Sequence, residues 1–442
     1  MDNKVGEISY SYAKKGYLPL NSIQNKIRLV GRGPPKNGNF VYWVSLYQDR
    51  GAQLDKKHGY EHTYPVSAVY TLLLQQPKHD TLDYKNPKLI VERSKVEPGT
   101  TVWRSPSNLA IVKYWGKHGR QLPRNPSVSF TLDHAYTETE VAYEARQDNG
   151  QGIALDFYFD GAPNEAFAKK VSAFMEGISD IFPFIRQLKW TIRSTNSFPH
   201  SSGIASSASS MSALALCLCT VEDMLFETLS DDEAFRQKAS FVARLGSGSA
   251  CRSIYPTLAM WGQMGEVKNS SDLYAIPMAD QVHDTFKAYK DAILIVSKGE
   301  KSVSSRAGHA LMEGNPYADP RYRQARQQTH ELLSALRTGD EERFGQLLEA
   351  EALTLHALMM ASNPPYILVK PHTLTLIDKV QSYRQETGQP LYFSLDAGPN
   401  LHLLYPDRIK EEVENFIHAE LVSYCEDGRW IPDQVGDGPL QL

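Results

Sequence analysis

The 442-residue chain is poor in cysteine, with four in all, at Cys217, Cys219, Cys251 and Cys425. That is too few, in a chain this long, for a disulfide framework. Cys217 and Cys219 fall in an alanine-rich apolar run that reads as helix, where a two-residue spacing turns them to different sides. They are expected to be buried small hydrophobes and not metal ligands, and a reducing compartment fits them. A long apolar run is also missing. The longest strongly apolar stretch, residues 214–221, is about half of the ~20 residues a bilayer requires. The opening MDNKVGEISYSY lacks the apolar core and basic flank of a secretory leader, so a cytoplasmic protein is expected. Charge of one sign is scarce. A net charge of -4 argues against the broad basic face of a nucleic-acid protein. HExxH, CxxC, GxSxG and the Gly-Lys-Ser/Thr of a Walker loop are all absent, which lowers zinc peptidase, zinc finger, serine hydrolase and P-loop readings. There is no internal repeat and no low-complexity tract.

What is present is ordinary globular composition, 41% hydrophobic and 22% charged, in a chain too long for one core. Two or more domains are expected. Residues 1–98 stand apart, with 15 basic against 9 acidic side chains while the remainder is acidic. FVYWVSLY and YPVSAVYTLLL there read as strands, yet no motif in the stretch suggests chemistry. A partner-binding or regulatory module, a loosely ordered extension and an overextended gene start are the readings left open. A later start would need another initiation codon, because the methionine after Met1 is Met175.

Beyond residue 100 the pattern is regular. SNLAIVKYW leads through a polar loop to SVSFTL and TETEVAYEA, which alternate like paired strands. AFAKKVSAFMEGISDIF reads as helix, LKWTIRSTN as strand and SSASSMSALALCLCTVEDML as an apolar helix. Residues 321–360 predict a helical hairpin broken at Gly339-Asp340, and LYFSLDAGPNLHLLYP two short strands about a glycine turn. Strands mixed with long helices predict an α+β architecture and not a regular βαβ repeat.

Four segments can carry chemistry. FPHSSGIASSASS runs into the apolar helix, so free N–H groups, hydroxyls and the positive helix end would meet at one anion site; a serine-rich cap is the plain alternative. ARLGSGSACRS sets Arg252 beside Ser247 and Ser249, suited to a carboxylate or phosphate, although such a stretch also serves as a plain turn. In LDAGPN, Asp396 ends a strand, where it either caps the turn or accepts a proton from a substrate hydroxyl. In KYWGK, Lys113 lies in apolar surroundings and either has an anionic partner or reaches water along its stem. His200, His309 and His402 lie near these segments without metal-ligand spacing, and no metal ligands are assigned.

Taken in order, SPSNLAIVKYWGK, LPRNPSVSFTL, NSFPHSSGIASSASS, ARLGSGSACRSIYP, KSVSSRAGH and SLDAGPN closely resemble the diphosphomevalonate decarboxylases of the GHMP kinase superfamily, particularly the bacterial branch. They span about residues 101–410. The resemblance implies an α+β, two-domain GHMP kinase fold: a first domain like a ribosomal-protein domain at 99–290, an α+β second domain at 291–442, and the active site in the cleft between them, behind the extension at 1–98. It implies ATP-dependent decarboxylation of mevalonate 5-diphosphate to isopentenyl diphosphate, with phosphorylation of the tertiary 3-hydroxyl and then loss of phosphate and carbon dioxide. It assigns Asp396 as the catalytic aspartate, Lys113 as its neighbouring lysine and Arg252 as the holder of the substrate carboxylate. Ser206 and Ser207, with Ser201, Ser202, Gly203 and Ala205 of the same loop, are placed on the ATP phosphates. Ser247 and Ser249 are placed on the substrate, and Tyr114 and Lys117 along its diphosphate. ATP and Mg²⁺ are the implied cofactors, and a homodimer is the implied assembly. The loop departs from the family's alanines and glycines at Ser201, Ser202 and Ser210. A mevalonate 5-phosphate decarboxylase, a 3-kinase of the same superfamily and a catalytically silent protein-binding relative remain as alternatives.

Overall fold

The computed structural model describes residues 82–198, 204, 206–299 and 303–442, together with four backbone strands that precede them. Those strands, Ile8–Tyr10, Asn25–Arg32, Tyr42–Gln48 and Tyr64–Pro65, form an antiparallel meander in which each pairs with the next. FVYWVSLY therefore falls mostly on a strand, while of YPVSAVYTLLL only Tyr64–Pro65 is described as one. The rest of the stretch, and the question of its order, lies outside the described residues.

Residues 1–83 and 84–442 are two compact units, so the break falls earlier than the 98/99 boundary that charge composition suggests. Packing is the reason. Leu89 is buried in the core of the larger unit. The Val91 N–H donates to Gln187 Oε1 and the Val91 carbonyl accepts from Gln187 Nε2, both at 2.9 Å.

The larger unit is built on two sheets. The first has the strand Ser127–Ala145 at its centre, paired along its length with Gly99–Val112. Its far edge is shared between Leu188–Asn196 and Leu258–Trp261. The runs SVSFTL and TETEVAYEA, which alternate like two paired strands, are one strand of 19 residues. Its register with Gly99–Val112 breaks near Pro106 and Asn108, freeing the N–H groups of residues 133–135 from that partner. The buried Asp433 carboxylate accepts all three: Asp133 and His134 at Oδ1, 2.9 and 2.8 Å, and Ala135 at Oδ2, 2.8 Å. A bulge whose amides are satisfied bends a strand without ending it.

The helix Ser206–Phe226 packs on this sheet, with the helix Asp232–Gly246 on its other side. It has neither Gly nor Pro, and residues 212–222 are buried all round, as a helix between two layers must be. With 21 residues it is by length and composition apolar enough to cross a membrane, longer than the 214–221 stretch suggests. Here it lines a core that includes Trp190, Phe182 and Phe184. Small residues allow close approach: Ser212 Oγ lies 2.6 Å from Ser105 Oγ, and Ser209 Oγ 2.6 Å from Thr137 Oγ1. Cys217, Cys219, Cys251 and Cys425 are all buried free thiols.

The second sheet is antiparallel, in the order Tyr392–Leu395, Leu401–Tyr405, Lys290–Leu294, Trp430–Gln434. The hairpin of Ala318–Thr338 and Glu341–Met360 forms as the sequence predicts, turning at Gly339, whose φ of 78° suits glycine. Asp340 caps the second helix by accepting the Arg343 N–H at 2.9 Å. Finally Leu440–Gln441 returns to pair with Trp103 and Arg104 of the first sheet.

Candidate active site

Lys113 is the first residue beyond the strand Gly99–Val112 and is buried. An interior ammonium needs anionic or polar partners, and its Nζ donates to Ser394 Oγ and Asp396 Oδ1, each at 3.0 Å. Ser394 and Asp396 are two apart at the end of the strand Tyr392–Leu395, a spacing that turns both to one side. The ion pair is lopsided: the lysine side chain is 2% exposed and the aspartate 22%. It opens on the carboxylate. His356, from the helix Glu341–Met360, sets Nε2 3.1 Å from the Asp396 carbonyl. On the neighbouring strand, His402 pairs in register with Ser394 and places Nδ1 2.7 Å from Asp291 Oδ2, both side chains buried. Burial works against the His402 charge, but the Asp291 carboxylate more than offsets it and holds the imidazole above its ordinary pKa.

Arg252 sits on the short helical turn Gly248–Ile254 and is also buried. Its Nε donates to Ser129 Oγ at 2.9 Å and its Nη2 to Asn108 Oδ1 at 3.2 Å, fixing the plane of the guanidinium. Burial lowers its pKa, opposed by Cys251, Asp396 and Tyr114. The remaining Nη1 is buried without a hydrogen-bond partner, and so is the Tyr114 hydroxyl. Buried donors left over in this way mark where a ligand's oxygens fit.

The two serine segments meet. Ser207, in the first turn of the helix Ser206–Phe226, has its Oγ 3.2 Å from that of Ser247, which follows the helix Asp232–Gly246. Gly248 is required beside them: a Cβ there would stand 2.8 Å from the Tyr114 hydroxyl and 3.0 Å from the Trp261 ring. Tyr114 packs between Trp261 and His309, with centroids at 4.7 and 4.4 Å, and burial raises its phenol above the ordinary value. His309 accepts the Gly116 N–H at Nδ1, 3.0 Å, and burial with Lys117 nearby drops its pKa to about 3. Lys117 donates to Gln121 Oε1 at 2.9 Å, and burial followed by Arg306 lowers its pKa.

Sequence reasoning and geometry agree unevenly. Lys113 and Asp396 come together, Arg252 lies within electrostatic reach of Asp396, and Ser207 meets Ser247. Ser249 presents its carbonyl to the Asn108 side chain at 3.1 Å, a supporting contact. Ser206 accepts from the hydroxyls of Ser209 and Ser210 at its carbonyl, and both hydroxyls also lie near Thr137 Oγ1, so they are occupied within the helix and its contact with the sheet. Ser201, Ser202, Gly203 and Ala205 lie outside the described residues, as does His200. Ser394, Asn108 and Ser129 were missed. Only Ser394 carried a signal, its i, i+2 spacing from Asp396.

The donor set is cationic and hydroxylic: Lys113, Lys117, Arg252, Ser207, Ser247 and Tyr114. Such a set suits a carboxylate and phosphates. Among the described residues no three or more His, Cys, Asp or Glu side chains gather as a metal site. The hydroxyl oxygens of Ser207 and Ser247, 3.2 Å apart, are hard donors that suit phosphates and a divalent ion carried on them.

Known proteins agree with this chemistry. A family model for the diphosphomevalonate decarboxylase-like N-terminal domain matches residues 105–274, and one for the mevalonate 5-diphosphate decarboxylase C-terminal domain matches residues 292–431. The diphosphomevalonate decarboxylase of Ganoderma lucidum is 30% identical over 328 residues, covering 70% of this chain and 79% of the relative. The crystal structure of mevalonate diphosphate decarboxylase from Staphylococcus aureus is similar with a TM-score of 0.67 and 27% identity, over 78% of this chain and 98% of that one. A further similar structure is MDDEF in complex with MVAPP, AMPPCP and magnesium, with a TM-score of 0.65 and 28% identity over 78% and 99% of the two chains. With two family models that between them include Lys113, Arg252 and Asp396, the chain belongs to the diphosphomevalonate decarboxylase family.

Proposed function

We propose that the protein carries out ATP-dependent decarboxylation of mevalonate 5-diphosphate, yielding isopentenyl diphosphate, ADP, phosphate and carbon dioxide, with Asp396, Lys113 and Arg252 as its catalytic residues. The observation that carries the assignment is the half-open ion pair, a buried lysine fixed on a carboxylate that faces outward. Asp396 takes the proton of the tertiary hydroxyl as the γ-phosphoryl group of ATP is transferred to that oxygen. Lys113 holds the carboxylate in place through its 3.0 Å bond. Arg252, its plane fixed by Ser129 and Asn108, directs the partnerless Nη1 at the substrate carboxylate. Carbon dioxide then leaves while the electron pair of its broken C–C bond stays behind and forms the new double bond, as phosphate departs from the tertiary carbon with the C–O pair. Tyr114 and Lys117 bind the substrate's diphosphate end, Ser247 and Ser249 bind the substrate, and Ser206 and Ser207 with Ser201, Ser202, Gly203 and Ala205 bind the ATP phosphates. Mg²⁺ bound with ATP, with serine hydroxyls such as that of Ser207 within its reach, would neutralise phosphate charge. A homodimer working in the cytoplasm completes the proposal, on the strength of family resemblance.

Purified protein with ATP, Mg²⁺ and either mevalonate 5-diphosphate or mevalonate 5-phosphate tests it. Equal amounts of ADP, phosphate and carbon dioxide from the diphosphate alone are expected. Turnover of the monophosphate only would keep the chemistry and change the substrate. ADP without carbon dioxide would make the protein a 3-kinase and remove Arg252 from its role.

A further inference from the structure

Lys113 leaves the first sheet at the point where its own backbone loses ladder partners, yet it is buried. Buried amide groups must be satisfied somewhere. The Lys113 N–H donates to Glu351 Oε2 at 2.7 Å, and the Lys113 carbonyl accepts from Arg321 Nη2 at 3.2 Å and from Asn125 Nδ2 at 3.1 Å. Glu351 and Arg321 face each other across the helical hairpin in a two-pronged ion pair: Nη1 to Oε1 and Nη2 to Oε2, both at 2.5 Å. Their side chains are 0% and 1% exposed. A hidden ion pair of this kind is a poor source of stability, because desolvating both charges consumes most of the attraction, and apolar residues of like volume commonly do as well. The apolar side chains Leu355, Leu358 and Trp115 pack close by in one cluster, so an apolar filling is available to the site. What an apolar pair cannot do is hold one residue by its amide and its carbonyl at once.

We propose that Arg321 and Glu351 are positioning residues that grip the main chain of Lys113 and so aim its ammonium at Asp396. The proposal rests on the reading of Lys113 and Asp396 as the reacting pair. The link is short: the grip is on the Lys113 peptide groups, and one side chain away Nζ meets Asp396 and Ser394 at 3.0 Å. A displaced peptide moves Nζ with it.

The test replaces the pair by apolar residues, Arg321→Met with Glu351→Leu, in the full-length chain. The thermal midpoint is expected to fall only modestly, because loss of two buried charges offsets part of the cost of a Lys113 N–H left without an acceptor, while kcat falls on the order of 10²-fold, the loss that a displacement of about 1 Å can cause. KM for ATP and for mevalonate 5-diphosphate is expected to stay within about 3-fold, since ground-state contacts are untouched. The same replacement in a Lys113→Met background should lower kcat by less than about 3-fold further, because the grip acts through the side chain already removed. Glu351→Gln, which keeps the volume and an acceptor oxygen but loses the charge, gives a second reading if the double variant fails to fold; it should lower kcat with KM unchanged. Wild-type kcat in either folded variant overturns the proposal, as does an undiminished further loss in the Lys113→Met background. Asp396→Asn run alongside separates the two ideas. If that variant turns over normally, the reading of the reacting pair is at fault; if it is dead while the apolar pair is fully active, only the grip is.

Discussion

Two buried lysines among the described residues, Lys238 and Lys113, are paired with carboxylates and built for different ends. Lys238 meets Glu222 at 2.5 Å with side chains 4% and 2% exposed, and its ammonium lies 4.9 Å from the Phe182 ring centroid. Glu222 spends its other oxygen on the Thr228 hydroxyl at 2.8 Å. That pair is closed on every side. Lys113 is equally hidden, but its partner Asp396 is partly exposed and lies within electrostatic reach of Arg252. A carboxylate committed to structure has no oxygen to offer a substrate. One held by a buried cation and still 22% exposed can be reached by a ligand. Exposure of the acid, and not burial of the base, distinguishes the site from the scaffold.

Substitutions in each pair should divide cleanly. Asp396→Asn is expected to retain ATP binding and lose turnover by about 10²–10⁴-fold, the usual contribution of a positioned base; steady-state kinetics beside a nucleotide-binding titration decide it. Glu222→Gln leaves Lys238 buried without its counter-charge and should cost about 3–5 kcal/mol of stability in denaturant titration. Its kcat at a permissive temperature should match the wild type, and a large kcat effect would erase the distinction drawn between the pairs. Truncation extends the contrast to the N-terminal stretch. Removing residues 1–83 should leave activity and the denaturation midpoint of the larger unit nearly unchanged. Removing 1–98 also strips buried Leu89, worth about 1.5–3 kcal/mol, and the bonds from Val91 to Gln187. Equal stability of the two truncated chains would show that residues 84–98 contribute nothing.

A further effect depends on pH and concerns His309, which packs against Tyr114. Its folded-state pKa of about 3 lies below the ordinary 6.5, because burial and Lys117 disfavour its charge. Between those values the unfolded chain takes up a proton that the folded chain refuses. Stability therefore falls as pH drops from about 6.5 toward about 3, by at most about 1.4 kcal/mol per pH unit from this residue. His309→Gln should flatten that slope in denaturant titrations at stepped pH; an unchanged slope would mean that another group titrates.

The site's reacting side chains were legible because each sits in a short segment with its own local grammar. Asp396 ends a strand before a glycine turn, Arg252 follows a small-residue turn, and Lys113 interrupts an apolar run. Their supports were not legible. Ser129 holds Arg252 across 123 positions and Glu351 holds Lys113 across 238, and neither has a periodicity that reveals it. The fold shows the same divide. Helices and the hairpin turn at Gly339 follow local pattern, whereas the continuity of Ser127–Ala145 depends on Asp433, three hundred residues away from Asp133. Alternation alone has no means of telling two strands from one strand whose bend is stapled from afar.

That staple has a consequence for the order in which the protein is made. The amides of residues 133–135 wait for Asp433, Thr131 and Thr257 wait for Gly436, and Trp103 and Arg104 wait for Leu440–Gln441. A ribosome makes these partners long after the strands that they complete. The first sheet thus stays unfinished until they emerge, and its closing contacts span hundreds of residues, a topology that slows folding and leaves an edge in need of shielding. Residues 433–441 act as a late stitch in the first layer.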